Sequence, residues 1–184
     1  MDASLWLALV SGIAVAAACG LRAFLPLLLL GLAARAGLIT LRGGVEWLAT
    51  DLALVALGVA TVVEVAGDKI PVVDHVLDLI GTAVRPAAAW LGAFAVLSAW
   101  PTPWAQIAAL VLGTAALGVH ALKAKVRLGS SAMTLGQANP VLSVLEDGVT
   151  LITMVLAVLA PLLALIVVGL LILTALRRPR RADA

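Results

Sequence analysis

The chain has 184 residues, of which 64% are hydrophobic and 12% charged, with a mean hydropathy of +1.18. Soluble domains are roughly half apolar and about a quarter charged, so this composition excludes a soluble enzyme, a disordered chain and a DNA-binding domain and leaves a membrane protein. The net charge is only +2, and the surplus sits in a tail of Arg177, Arg178, Arg180 and Arg181, which suits the positive-inside bias and anionic lipid head groups better than nucleic acid.

Five apolar stretches follow one another, at 4–34, 47–66, 70–99, 104–122 and 141–176. The first is interrupted by Cys19-Gly20-Leu21-Arg22, with Pro26 beyond it. Cys19 follows three alanines as at a lipoprotein cleavage site, but the preceding segment carries Asp2 and no Lys or Arg. It lacks the cationic start of a secretory signal, so residues 1–19 are read as retained. The second stretch reads as an ordinary single span. The third is interrupted by Gly81 and Arg85-Pro86, the fourth is again a single span, and the last contains Asp147-Gly148 and Pro161. No Lys, Arg, Asp or Glu occurs between Pro86 and Leu122 or between Gly148 and Leu176, and each run exceeds the roughly 20 residues one spanning helix needs. Gly and Pro release backbone groups that lipid cannot satisfy, so the interrupted stretches are expected to be broken or re-entrant helices covered by protein.

If the three interrupted stretches return to the face they entered, three basic segments share one side: Arg35 with Arg42, then Lys123, Lys125 and Arg127, then the arginine tail. That topology puts both termini in the cytoplasm and Trp100-Pro101-Thr102-Pro103-Trp104 at the outer interface. It also suggests an inverted repeat: Ala56-Leu57-Gly58-Val59 recurs as Ala116-Leu117-Gly118-Val119, each before a polar stretch and a proline-started helix.

The densest polar cluster runs from Glu64 to Asp78 and holds Glu64, Asp68, Lys69, Asp74, His75 and Asp78. Pro71 suits a helical first turn. Asp74 and Asp78 then share a face while His75 points about 100° away, and Glu64 and Asp68 have the same spacing unless Gly67 ends the helix first. Acids on one face at low dielectric can hold a cation, share a proton or line a path. The bland alternative makes Gly67 to Pro71 an outer loop, with Asp68 and Asp74 settling a helix N-terminus and Lys69 pairing with a neighbour. Arg22 is the one charge between Asp2 and Arg35, and it needs an anionic partner among these carboxylates. A third site joins Gln137-Ala138-Asn139-Pro140 to Glu146-Asp147-Gly148. Asn139 reads as an N-cap before Pro140, whereas adjacent acids Glu146 and Asp147 in an apolar stretch point to function. His120 reads as a histidine at a membrane end.

Aspartates four apart resemble those of intramembrane phosphotransferases that join lipid alcohols, but the upstream Asp-Gly, Ala-Arg and Gly of that motif are absent. No paired-histidine zinc motif, Gly-x-Ser-x-Gly elbow or phosphate loop occurs, and no cofactor is expected.

The stretches Gly20-Leu21-Arg22-Ala23-Phe24-Leu25-Pro26, Glu64 through Asp78 and Arg85-Pro86 resemble a family of small bacterial multi-pass membrane proteins known as domain of unknown function 4126. The likeness covers the chain from the first apolar stretch to the last. It implies a bacterial inner-membrane protein and carries over no activity. Arg22, Glu64, Asp68, Lys69, Pro71, Asp74, Asp78 and Arg85 fall on its pattern.

The expected architecture is an all-α polytopic membrane domain over 1–176 with broken or re-entrant helices, followed by a basic cytoplasmic tail at 177–184. The leading functional expectation is a small transporter or channel for a cation, a proton-coupled solute or a small charged solute. Arg22, Glu64, Asp68, Lys69, Asp74, Asp78, Arg85, Glu146 and Asp147 are its candidate binding residues, and its size favours a homodimer. The alternatives are a metal-dependent intramembrane enzyme acting on a lipid head group, and a non-transporting scaffold whose charges pair internally.

Overall fold

With no water to satisfy peptide groups in a bilayer, a chain this apolar must close its backbone hydrogen bonds within helices. In a computed structural model, residues 3–134 and 137–176 are described, without the side chains of Pro71, Val72, Asp74, His75 and Ala175. The arginine tail, expected to meet anionic head groups, lies outside the described residues. The described chain is all α: α1 (Ala3–Leu21), α2 (Phe24–Arg35), a 3₁₀ turn (Glu46–Ala49), α3 (Asp51–Gly67), α4 (Pro71–Val96), α5 (Thr102–Thr134), α6 (Asn139–Leu159) and α7 (Pro161–Leu176). Four of these contain segments long and apolar enough to cross a membrane: Ala3–Leu21, Val76–Val96, Thr102–Thr134 and Asn139–Leu159.

The break expected at Arg22 is present between α1 and α2, and Pro161 starts α7. The third stretch differs from expectation, because α4 continues through both Gly81 and Pro86. Gly81 is not a break; its missing side chain makes room for the Arg85 guanidinium, whose Cζ would lie 3.1 Å from an added Cβ. Asp147-Gly148 likewise lies inside α6. Asn139 is the first residue of α6 and not its cap; its amide donates to Ser131 Oγ at 2.8 Å, tying α5 to α6 across the turn.

α1 is the axis of the bundle, packing on α4, α5, α6 and α7. Lipid tails are as apolar as leucine, so helices associate here by close van der Waals contact, which small residues permit. Ala14, Ala18 and Cys19 on α1, Ala89 and Ala93 on α4, and Ala105, Ala109 and Ala116 on α5 are all buried at these contacts. Two glycines let α5 approach α1 and α4 backbone to backbone. A Cβ on Gly20 would lie 2.8 Å from Ala116 O, and one on Gly113 would lie 2.8 Å from Pro86 O.

Side-chain bonds fix which ends lie together. Trp100 Nε1 donates to Leu5 O at 2.9 Å, and Arg42 donates to Leu97 O at 2.6 Å and Trp100 O at 2.7 Å. The start of α1, the α2–α3 connection and the α4–α5 turn therefore share one end. At the other end, Lys123 of α5 reaches Leu21 O at 3.3 Å and Asp68 at 3.5 Å. This arrangement differs from the topology that charge counting favoured, which set Arg42 opposite Trp100 and Asp68 opposite Lys123. The physical reason is that Arg42 is spent on carbonyls of the α4–α5 turn, so it does not report a membrane face. α1 begins at the tryptophan end, whereas Leu171 and Thr174 near the end of α7 line the same cavity as Lys123. The described chain thus starts and finishes at opposite ends.

Gly113→Ala is expected to lower stability by about 1–3 kcal/mol by wedging α4 from α5. Gly118→Ala, where an added carbon meets nothing within 4 Å, should hold stability or gain up to ~1 kcal/mol of helix propensity. Thermal unfolding in detergent followed by circular dichroism compares them; equal melting temperatures would contradict the close α4–α5 contact.

Candidate ion-pair site at the charged end of the bundle

Arg22 lies in the α1–α2 break with its side chain fully buried. The break is stabilised from outside, since Glu64 of α3 accepts from the N–H groups of Ala23 (2.8 Å) and Phe24 (3.2 Å). A carboxylate at a helix N-terminus satisfies orphan donors and meets the positive end of the helix dipole. Glu64, expected to hold a cation or proton, is therefore turned to N–H donors instead.

The Arg22 guanidinium is used on every edge. Nη1 pairs with Asp68 Oδ2, and Nη2 donates to Ser143 Oγ at 2.9 Å and Ser143 O at 3.2 Å. Nε lies 2.7 Å from Asp147 Oδ1 but off the N–H direction, making an ion pair and not a hydrogen bond. Asp68 is placed by its local sequence. α3 ends at Gly67, where an added Cβ would sit 2.4 Å from Leu77 Cδ1 of α4, and Asp68 takes the capping position.

Asp68 Oδ2 is shared by Arg22, by Arg127 Nη2 at 2.9 Å and by Lys123 Nζ at 3.5 Å. Asp68 Oδ1 is buried with no hydrogen-bond partner among the described residues. Arg127 also grips Glu146, Nε to Oε1 at 3.2 Å and Nη2 to Oε2 at 2.8 Å, and Lys123 Nζ lies 3.2 Å from Glu146 Oε2. Lys69 approaches Asp147 at 3.8 Å. Arg22, Lys69, Lys123 and Arg127 thus equal Glu64, Asp68, Glu146 and Asp147 in number.

Asp78 and Arg85 lie apart from this cluster. Arg85, almost wholly buried, approaches Asp78 Oδ1 at 3.4 Å and donates to His120 Nδ1 of α5. With Nδ1 accepting, the neutral ring carries its proton on Nε2, which faces Thr82 Oγ1 at 3.4 Å, while Thr82 donates to Asp78 O at 3.1 Å. Asp74 belongs to α4, but its side chain lies outside the described residues. Among the described residues no group of three His, Cys, Asp or Glu side chains stands close enough to hold a metal ion.

Of the sequence candidates, Arg22, Glu64, Asp68, Lys69, Glu146 and Asp147 converge, and Asp78 with Arg85 forms the second group. Sequence reasoning missed Lys123, Arg127, Ser143 and the structural role of His120. A signal was available: Gly113, Ala116, His120, Lys123 and Arg127 recur at three- and four-residue steps, and all are buried on one face of α5. Lys123 and Arg127 read as interfacial positive charges because they follow a charge-free span.

The sequence profile described as Domain of unknown function (DUF4126) matches residues 9–181. The chain belongs to this family. The match runs from within α1 past the end of α7, so it takes in both groups of charges. No curated protein and no solved structure matched the chain. The family description carries no activity, so activity is left to be argued from the DUF4126 site itself, and the membrane character rests on the long apolar helices.

Removing one member of a buried ion pair typically costs about 3–5 kcal/mol, while an exposed pair contributes ~1 kcal/mol or less. Arg22→Leu is expected to lower stability by the larger amount. Arg35→Gln, which breaks the exposed Arg35–Asp51 pair, should move it by no more than the smaller. Detergent unfolding checks the contrast, and comparable shifts for the two variants would remove the case for a buried network.

Proposed function

We propose that this DUF4126 protein is a proton-coupled transporter of an anionic solute in a bacterial inner membrane. The observation that carries the reading is the asymmetry of Asp68: three cations crowd Oδ2 while Oδ1 is buried and bare. Buried ionisable groups in a membrane protein are expensive and mark solute or proton pathways. Each carboxylate of the site already faces a basic side chain or helix N–H groups, which compete with any metal cation for it. What the site offers is exchange. A proton arriving on Oδ1 would neutralise Asp68 and release Lys123 and the planar forks of Arg22 and Arg127, which suit a solute carboxylate or phosphate. Loss of that proton from Asp68 would restore it as the resident counter-ion and expel the solute.

The even match of four cations and four acids favours a second reading, a scaffold in which the charges only hold helices together. Flux separates the two. Purified protein in liposomes should take up at least one of chloride, phosphate, acetate or palmitate faster under an inward proton gradient. Asp68→Asn should abolish the gradient dependence, and Glu146→Gln should reduce it if the first variant fails to fold. Arg35→Gln should behave as the parent. Uptake no faster than in protein-free vesicles for the whole panel would sink the transporter reading and leave the scaffold.

The orientation follows from where cations gather. Leaving out the cations that serve helix ends and buried acids, Lys69 and Lys125 belong to the charged end, where α7 also finishes with the arginine tail next in sequence, against Arg35 at the tryptophan end. The positive-inside bias then puts the charged end in the cytoplasm. A reporter fused after Ala184 should read cytoplasmic and one fused before Met1 extracytoplasmic; the reverse pair of results would overturn this orientation.

A further inference from the structure

α5 and α7 both pack on α1, but they scarcely meet one another, and α5 touches α6 only sparsely. The gap between them is a cavity of about 320 Å³. Its walls are almost entirely aliphatic, with Leu21 and Leu122 on one side and Leu145, Val149, Val168 and Leu171 on the other. Lys123 and Glu146 stand at its charged end, so the cavity runs from the apolar flank of the bundle to the ion-pair site.

Two observations mark it as more than a packing defect. Thr153 lines the cavity, is buried to all but 1% of its surface, and its hydroxyl has no hydrogen-bond partner among the described residues. Buried hydroxyls are nearly always satisfied, and an orphan in a ligand-sized space points to an absent partner. The second is charge. Lys123, which lines the cavity at its charged end, is 5% exposed and shares the Glu146 carboxylate with Arg127 behind it, a carboxylate-binding pair of cations. Seven residues separate Glu146 from Thr153, so the slot runs about 10 Å along α6 between them at 1.5 Å per residue. Its volume is at the small end of the about 300–1,000 Å³ typical of ligand sites, room for one hydrocarbon chain and not two.

We propose that this cavity binds a single-chain fatty acid that enters sideways from the bilayer. The chain lies between α5, α6 and α7, and the carboxylate joins Glu146 on Lys123 and Arg127 in the place that protonated Asp68 gives up. The inference rests on the anion-exchange reading above and names its substrate class: an amphiphile delivered by lipid.

The test is photolabelling of the full-length protein in liposomes with a mid-chain photoreactive palmitic acid, read residue by residue by mass spectrometry. Label should concentrate on Val149, Thr153 and Leu171 and be competed by unlabelled palmitate but not by hexadecylamine, which has the same chain and the opposite charge. Val149→Trp and Leu171→Trp, each filling the slot, should lower labelling about tenfold, the equivalent of ~1.4 kcal/mol. Label spread equally over the lipid-facing residues Val55, Val59 and Val62 of α3, unchanged by either tryptophan, would reduce the cavity to ordinary bilayer contact. Labelling by a photoreactive phosphatidylglycerol but not by the acid would overturn the assignment to a single-chain acid. Labelling requires no flux. A labelled slot without transport would defeat the transporter reading alone, and uptake of the water-soluble anions with an unlabelled slot would defeat this inference alone.

Discussion

One oxygen atom organises the charged end of this bundle. Asp68 Oδ2 receives Arg22 from the α1–α2 break and Lys123 and Arg127 from successive turns of α5. Three cations cannot be buried together without a counter-charge, because each carries a desolvation penalty that only close pairing offsets. The carboxylate therefore fixes the distance between the end of α3, the break and α5. Arg22, so held, reaches across to Ser143 and Asp147 and brings in α6. The network links four separate parts of the chain through contacts that are worth little singly at a surface and much more once water is excluded.

The apolar packing makes that network possible. Small residues let α1 and α5 approach until Gly20 faces the backbone of Ala116; Arg22 follows two residues on in the α1–α2 break, and His120 lies one turn further along α5. A larger residue at Gly20 would separate the helices just where the guanidinium must meet its partners. At the opposite end Arg42 does comparable work with neutral acceptors, tying carbonyls of the α4–α5 turn and lying 5.0 Å from the Phe94 ring centre. Packing and polar ties thus reinforce each other at both ends of the same helices.

Much of the fold was legible because membrane helices are announced by composition and by the scarcity of charge. The break at Arg22, the helix starting at Pro71 and the stop at Gly67 each follow from one residue's backbone chemistry. Topology was not legible, because charge counting treats every basic residue as a report of membrane side. Arg42, Lys123 and Arg127 instead serve helix ends and buried acids. Gly81 and Pro86 misled for a related reason: a glycine can make space for a neighbour, and a proline can be accommodated within a buried helix. In the site, sequence found the acids, which stand out against apolar neighbours. It missed the α5 cations, whose helical periodicity was masked by their position at the end of a span.

The shortness of α7 has a consequence for the surrounding membrane. Its 16 residues reach about 24 Å at 1.5 Å per residue, against a hydrocarbon core of roughly 30 Å. Leu162, Ile166, Leu170 and Leu173 on that helix face outward, and Arg177 and Arg178 follow it directly in sequence. Lipid beside so short an apolar helix thins to match it, at a fraction of a kcal/mol for each ångström of mismatch, so a bilayer of shorter acyl chains meets this flank at less cost.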